Sequence, residues 1–440
     1  MVIATPYARI ENVAIQSGLS GNFDTITLSD FTITYGRSTV LDQPAPARLR
    51  ISFLVRQESP FLRRSLAESG IQVWIKYGAG QERRQFIGRI RDAEMSYAQH
   101  LDGRPLFRLD ISASDTMADL EKWNVWGMDR GTESARSRLD FLQDRARGIV
   151  DGIGGPAFPY TLAPKKSDGT LLSEITAIFN SGGEGLWYDP HTHRVEAAGR
   201  VAYSGFGLTL LKTGASRYSL SWRGSGTSII RPKQHRARAT SGIQHATDQV
   251  ITSVRATGKQ INPNNQWVDG DYGRALSGGN GWGQLTIVSE GYATYDGTTY
   301  NPWGLQATAD FWATLVMDSR TPPHPPITTE HTDFDTEGDL IDILQCRESR
   351  FGNYIPSIYT SSVPYLMIQR AIGGTVNYKA DPTGPGTWTV ERIWANVPVS
   401  DLPAPVTGKT INPSTSQIVR FRDLDETVTG AALRWTTKGV

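Results

Sequence analysis

A period of two constrains this chain more than any other feature. Leu49, Ile51, Phe53 and Val55 alternate with Arg48, Arg50, Ser52 and Arg56. Successive side chains on a strand point to opposite faces, so this run predicts a strand with one face on a core and the other in water. Ile71, Val73, Ile75 and Tyr77 make another such run, followed by residues 86–90, residues 94–97, and Phe107, Leu109, Ile111 and Ala113. One run slips: Ile26 and Leu28 are followed by Phe31, Ile33 and Tyr35. A slip of one residue reverses the facing unless a bulge absorbs it, so a bulge is predicted near Ser29-Asp30. Several short strands separated by turn signals predict a small antiparallel barrel or sandwich. A short helix in DTMADLEKW (115–123), with Asp115 as its N-cap, closes the region.

The period then changes. Leu139, Leu142, Ala146, Ile149 and Val150 recur at helical spacing, as do Leu171, Leu172, Ile175, Ile178 and Phe179. LWYDPHTHRVEAAGR reads as a hairpin turned at Asp189-Pro190. Alternation resumes at Tyr218, Leu220 and Trp222, then at Val250 to Ala256, Leu285 to Val288, 387–395 and 417–422. One more helix is predicted in WGLQATADFWATLVMDSR, stopped by TPPHPPI. The fold class read from this order is mainly β with an α+β insert. The boundaries are 1–123 for a first β domain, 124–204 for a helix-plus-hairpin insert, and 205–440 for a second β domain with a loop insertion at 259–303.

The 440 residues are enough for two to four domains, each with its own core. With 45 basic and 44 acidic side chains, the balance argues against non-specific nucleic-acid binding over the whole surface. Cys346 is the one cysteine, which excludes an intrachain disulfide or a multi-cysteine zinc site. MVIATPYARIENVAIQSG lacks the basic and apolar regions of a secretion signal, and no run of about 18 apolar residues appears. Synthesis in the cytoplasm without membrane insertion is the expectation.

ITYGRSTVLDQPAPARLRISFLV, FIGRIRDAE and LDISASDTMADLEKWNV, in this order, resemble the N-terminal tube domain of minor tail, or hub, proteins of siphophages that infect actinobacteria. The positions that match are Gly36, Arg37, Gln43, Pro44, Gly88, Arg89, Ile90, Asp92, Asp115 and Leu120. TLLSEITAIFNSGGEGLWYDPHTHRVEAAGR is similar to the family's insert, and DQVITSVRATG to the opening of its second barrel; residues 259–303 do not align. The resemblance implies two tail-tube-like antiparallel β-barrel domains flanking the insert. It implies a homotrimer, with a hexamer as the other possibility, located in the virion at the tail tip and assembled in the host cytoplasm. The partners implied are a distal tail protein, a tape measure protein, downstream tip or fibre proteins, and double-stranded DNA in transit. Such a hub is not an enzyme and uses no cofactor. Pro44 and Pro46 hold their connection extended and out of any ladder. That connection is either a stiff loop or a segment reaching a neighbouring subunit. In a ring that passes DNA, Arg48, Arg50 and Arg56 are expected to meet carboxylates or an adjacent subunit.

Chemical motifs give little. His191 and His193 share a strand face if the strand is regular, but they sit beside a turn and lack further ligands. Asp333, Asp335, Glu337 and Asp339 mimic part of a calcium loop without its final bidentate Glu, and read as an acidic helix-capping turn. No phosphate loop and no Gly-x-Ser-x-Gly elbow occur, and Cys346 has no catalytic context. SIIRPKQHRARATSG is the one basic run and reads as a solvated linker. The Trp/Tyr/Gly-rich stretch from Trp267 to Trp303 leaves a second function open, a carbohydrate-binding adhesin of the tail tip that recognises the host cell wall. A cell-wall hydrolase is a third, for which no lytic domain is recognisable.

Overall fold

The computed structural model describes residues 4–198 and 366–396, short gaps apart, and in the remainder of the chain the course of a set of strands. The first seven strands are β1 (Thr5–Ile10), β2 (Val13–Gln16), β3 (Ile26–Gly36), β4 (Arg48–Arg56), β5 (Gly70–Tyr77), β6 (Gln81–Leu101) and β7 (Arg104–Asp115). They lie in the spatial order β3-β4-β7-β6-β5-β1-β2, each pair antiparallel. The sheet curls on itself. Ser17, just past β2, bridges to Leu28 in β3, and the Trp388 indole donates to the Ala4 carbonyl at 3.4 Å.

Curling puts every second side chain inside. Leu28, Phe31, Ile33, Leu49, Ile51, Phe53, Val55, Val73, Phe86, Ile90 and Ile111 form one buried cluster. The alternation that predicted the strands is therefore the alternation of inside and outside. The bulge is where the slip placed it: Leu28 pairs with Phe53 and Asp30 with Ser52, so Ser29 is the extra residue. Residues 86–90 and 94–97, read as separate strands, are one long strand, β6, because a bulge at Arg91 lets the chain change facing without breaking the ladder. β1 and β2 were not legible, since Tyr7, Ala8 and Ile10 are buried without keeping a clean period of two.

Strands from far along the chain join this sheet. Leu366–Lys379 pairs with β3 and with Thr387–Asn396, which pairs in turn with Thr328–His331. Val376, Tyr378, Trp388 and Val390 enter the same core as Phe31, which stacks on Tyr378 and meets Trp388 edge-on. A division at 205 therefore does not separate one sheet from another. Most of the second barrel expected over 205–440 falls outside the described residues, as do the helix expected near 311 and the strand at 417–422. One described pair there, Ser253–Ile261 with Gln284–Ser289, is parallel, where a purely antiparallel barrel was expected.

The insert has its own core. Helices α1 (Met117–Lys122), α2 (Ala135–Arg145) and α3 (Leu171–Ser181) bury Leu120, Leu139, Leu142, Ile175, Ile178 and Phe179 against Leu186 and Tyr188 of the predicted hairpin. Ser134 caps α2 by accepting from the Ser137 amide at 3.1 Å. Thr170 and Ser173 cap α3 reciprocally, each side-chain oxygen accepting from the other's amide at 3.2 and 2.8 Å. The α1 cap lies one residue inside the expectation: the helix begins after Thr116, while the Asp115 carboxylate accepts from the Met117 amide at 3.1 Å.

Candidate functional site

Two features of this fold bear on function: the seam between sheet and insert, and the outer face of the sheet. Half of the matched positions converge at the seam. Gly36 ends β3 with φ of 82°, a left-handed conformation that glycine adopts without cost. Arg37 follows, buried, and donates to the Asp42 carbonyl at 3.3 Å. Gln43 then reaches the insert: its amide nitrogen donates to the Asn180 side chain at 2.5 Å and its oxygen accepts from the Leu186 amide at 2.8 Å. The Gln-Pro connection thus docks on the chain's own insert, and the alternative of a segment reaching a neighbour is not what Gln43 does. Pro44, Gly36 and Asp115 line one cavity of about 30 Å³ with Trp187 and Tyr188, room for a water and nothing larger.

Across the seam, Arg84 donates to the carbonyls of Pro190 at 2.5 Å and His191 at 3.1 Å. Thr116 accepts from the Tyr188 hydroxyl at 3.1 Å and lies 3.1 Å from His193 Nε2, whose Nδ1 is 3.5 Å from Asp151. Asp, His and a hydroxyl in series are the parts of a nucleophile relay. Here the hydroxyl is buried under Tyr188, and the adjoining cavity admits no substrate, so the series is a structural lock. Burial lowers the His193 pKa and raises that of Asp115 from 3.8 to about 7, against the pull of the Ala47, Met117 and Ala118 amides. His191 and His193 point apart, toward Arg84 and Thr116, and among the described residues no group of three ligands could hold a metal.

The other matched positions divide. Gly88 lies so close to β7 that an added Cβ would fall 2.0 Å from the Ser114 carbonyl. Arg89 pairs with Asp119 of α1 at 3.0 Å, Ile90 is in the sheet core and Leu120 in the insert core. Asp92 stands alone on the outer face. Arg84, Thr116 and Tyr188 were not singled out as seam residues, because each depends on a partner distant in sequence.

The outer face is polar across several strands. One cross-strand row runs Glu391, Thr375, Thr34, Arg48, Ser114, Arg89; the next, Thr389, Asn377, Thr32, Arg50, Ser112, Asp92; a third, Thr387, Lys379, Asp30, Ser52, Asp110, Glu94. No apolar side chain interrupts these rows. The cations are Arg48, Arg50, Arg89 and Lys379, and the carboxylates Glu391, Asp92, Asp30, Asp110 and Glu94, so the signs nearly cancel. Arg108, beside the third row, is tied to Asp110 at 2.9 Å and to Asp30 at 3.6 Å. Arg48 and Arg50 are exposed and have no carboxylate partner among the described residues, so the pairing expected for them is not made there.

No protein-family model matches the chain, and no curated relative does. Among solved structures it is similar to a tail protein from Neisseria meningitidis MC58, at 12% identity and a TM-score of 0.49, over 91% of this chain and 99% of that one. It is also similar to the 43 kDa tail protein of prophage MuSo2 from Shewanella oneidensis, at 10% identity and 0.48, covering 90% and 98%. A third is prophage tail protein gp18 from Listeria monocytogenes EGD-e, at 13% and 0.45, covering 90% and 95%. These are likenesses of chain course at low identity.

Proposed function

We propose that this chain is a structural protein of a phage tail, a hub at the tail tip whose copies form a ring that lets double-stranded DNA pass. A homotrimer in contact with distal tail, tape measure and tip or fibre proteins fits the resemblance carried by Gly36, Arg37, Gln43, Pro44, Gly88, Arg89, Asp92 and Asp115. The observation that carries the reading is the outer face. A wall that DNA slides past must be wetted and must not bind, because each phosphate neutralised by a cation adds salt-dependent affinity. Short hydroxyl and amide side chains with balanced charge meet both needs, and a strongly basic face meets only the first.

The seam supports the same reading from another side. Its polar residues are spent on locking the insert to the sheet. The test is the purified full chain, imaged without imposed symmetry and titrated with duplex DNA at low salt. A ring with an axial hole and no tight DNA binding is expected. Tight binding would overturn the conduit, and a monomer that captures host cell-wall glycan would replace the hub with an adhesin.

A further inference from the structure

The insert's hairpin, with strands Gly185–Asp189 and Arg194–Ala198, carries two histidines in its turn, and each engages the seam through a ring nitrogen. His191 Nδ1 accepts from the Arg84 amide of β6 at 3.4 Å. His193 Nε2 lies 3.1 Å from the hydroxyl of Thr116, where β7 passes into α1. A backbone amide can only donate, so His191 Nδ1 must be unprotonated for its contact to exist. The Thr116 hydroxyl accepts from Tyr188 at 3.1 Å, which leaves its one hydrogen to give to His193. The neutral tautomer that fits carries its proton on Nδ1, 3.5 Å from the Asp151 carboxylate.

Protonation turns both contacts over. An imidazolium donates from both nitrogens, so His191 would face the Arg84 amide donor to donor. At His193, Nε2–H would aim at Thr116, whose own hydrogen must then move to the Ile87 carbonyl at 3.5 Å, too long for a good hydrogen bond. The surrounding charges do not make up the difference. Arg84 lies over the same turn, donating to the Pro190 and His191 carbonyls, with Arg83 beside it in the chain. Asp189 is already engaged by the His191 amide at 2.9 Å, Asp151 is 70% exposed to water, and Arg194 is paired with Glu196 at 3.8 Å. Tyr188 is held neutral by burial. Burial first, with the arginines adding to it, keeps both histidines below their ordinary pKa. The backbone adds strain, since His193 is left-handed with φ of 58°, fixed by the Asp151 amide donating to its carbonyl at 2.8 Å.

We propose that His191 and His193 form an acid-sensitive latch, which holds the hairpin turn of the insert on the sheet while both rings are neutral and releases it when they are protonated. A histidine whose pKa is lowered by folding contributes its stability above the usual histidine range and loses it as pH falls through that range. Asp115, next to Thr116, works against release, because its burial favours the protonated form and acid strengthens its share. Loosening on acidification is therefore the work of the histidines. At the other end of the hairpin, the Gln43 contacts with Asn180 and the Leu186 amide involve no titratable group. The insert is thus freed at its turn and stays tied at Leu186.

The experiment is hydrogen exchange of the full chain between about pH 7.5 and about pH 5, read as protection relative to the unfolded-chain rate at each pH. The Arg84 and Asp151 amides report the latch, Leu186 the far end of the hairpin and Ile51 the sheet. Protection at Arg84 and Asp151 is expected to fall about tenfold on acidification, the worth of one or two ordinary hydrogen bonds, while Leu186 and Ile51 hold. His191→Asn/His193→Gln places an amide oxygen near each accepting nitrogen without a group that titrates, and its protection should stay level with pH. Level protection in the wild type would overturn the latch whatever the variant does. A fall that persisted in the variant would belong to another group and overturn it equally. If the double variant does not melt cooperatively, His191→Asn alone, at an exposed position, takes its place. It should abolish the fall at Arg84, and a fall that remained there would sink the latch.

Discussion

Gly88 has no room for a side chain, because a Cβ there would strike the Ser114 carbonyl of β7. Backbone cannot yield as a flexible side chain does, so Gly88→Ala is expected to destabilise by about 1–3 kcal/mol, read as a lower denaturant midpoint. Asp115 sets a different kind of constraint. Its carboxyl is raised from 3.8 to about 7 by burial, so folding favours the protonated form. The stability it contributes is full below pH 3.8 and is lost as pH rises toward 7. Asp115→Asn keeps an oxygen for the Met117 amide and removes the charge. It should match the wild type near pH 4, gain steadily above that, and level off above pH 7 with an advantage of order 2–4 kcal/mol. His193, lowered by burial, works in the other direction, losing its contribution as pH falls below the usual histidine range. A variant whose advantage did not grow with pH would show that Asp115 is ionised in the folded protein.

At the scale of elements, α3 and the β3–β4 connection carry the insert. Phe179 and Ile175 are fully buried on one side of α3, and the reciprocal Thr170–Ser173 cap fixes where that helix begins. Truncating Phe179 to Ala removes a fully buried ring and is expected to cost about 3–5 kcal/mol. An unchanged melting temperature would mean the insert core lies elsewhere. Gln43 is the strut from the connection to the insert. Gln43→Ala leaves the Leu186 amide and Asn180 without their partner, a loss of about 1–3 kcal/mol. Its local signature is faster hydrogen exchange at Leu186 than at amides of the β3–β4 ladder.

At the largest scale, strands from far along the chain cover the N-terminal sheet. Trp388 donates to Ala4, Tyr378 stacks on Phe31, and Val376 and Val390 fill the core of the N-terminal sheet. A fragment ending at residue 204 keeps β1 to β7 and the insert but loses this cover and exposes the β3 edge. It is expected to aggregate or to melt without a cooperative transition, whereas the full chain melts cooperatively. A soluble, cooperatively folding fragment would restore the division at 205 as a true domain boundary. Parallel growth from Thr257 to the 284–289 strand belongs to the same lesson, since such pairings need long crossovers that no local pattern announces.

The sequence by itself determined the strands that face water on one side and the helices that bury one stripe. Leu49 to Val55, Leu28 with its slip at Ser29, and Ile175 with Phe179 each declare their facing within a few residues, because side-chain period is a local property of the backbone. Only the tertiary structure decided which strands are neighbours. Nothing local links Thr32 to Asn377, yet the Thr32 hydroxyl donates to the Asn377 side-chain oxygen at 2.7 Å, and their strands share one core. Nor does any motif make Gln43, Arg84 and Tyr188 members of one seam. Their hydrogen bonds form only after the insert folds back on the sheet, and the site exists through that closure.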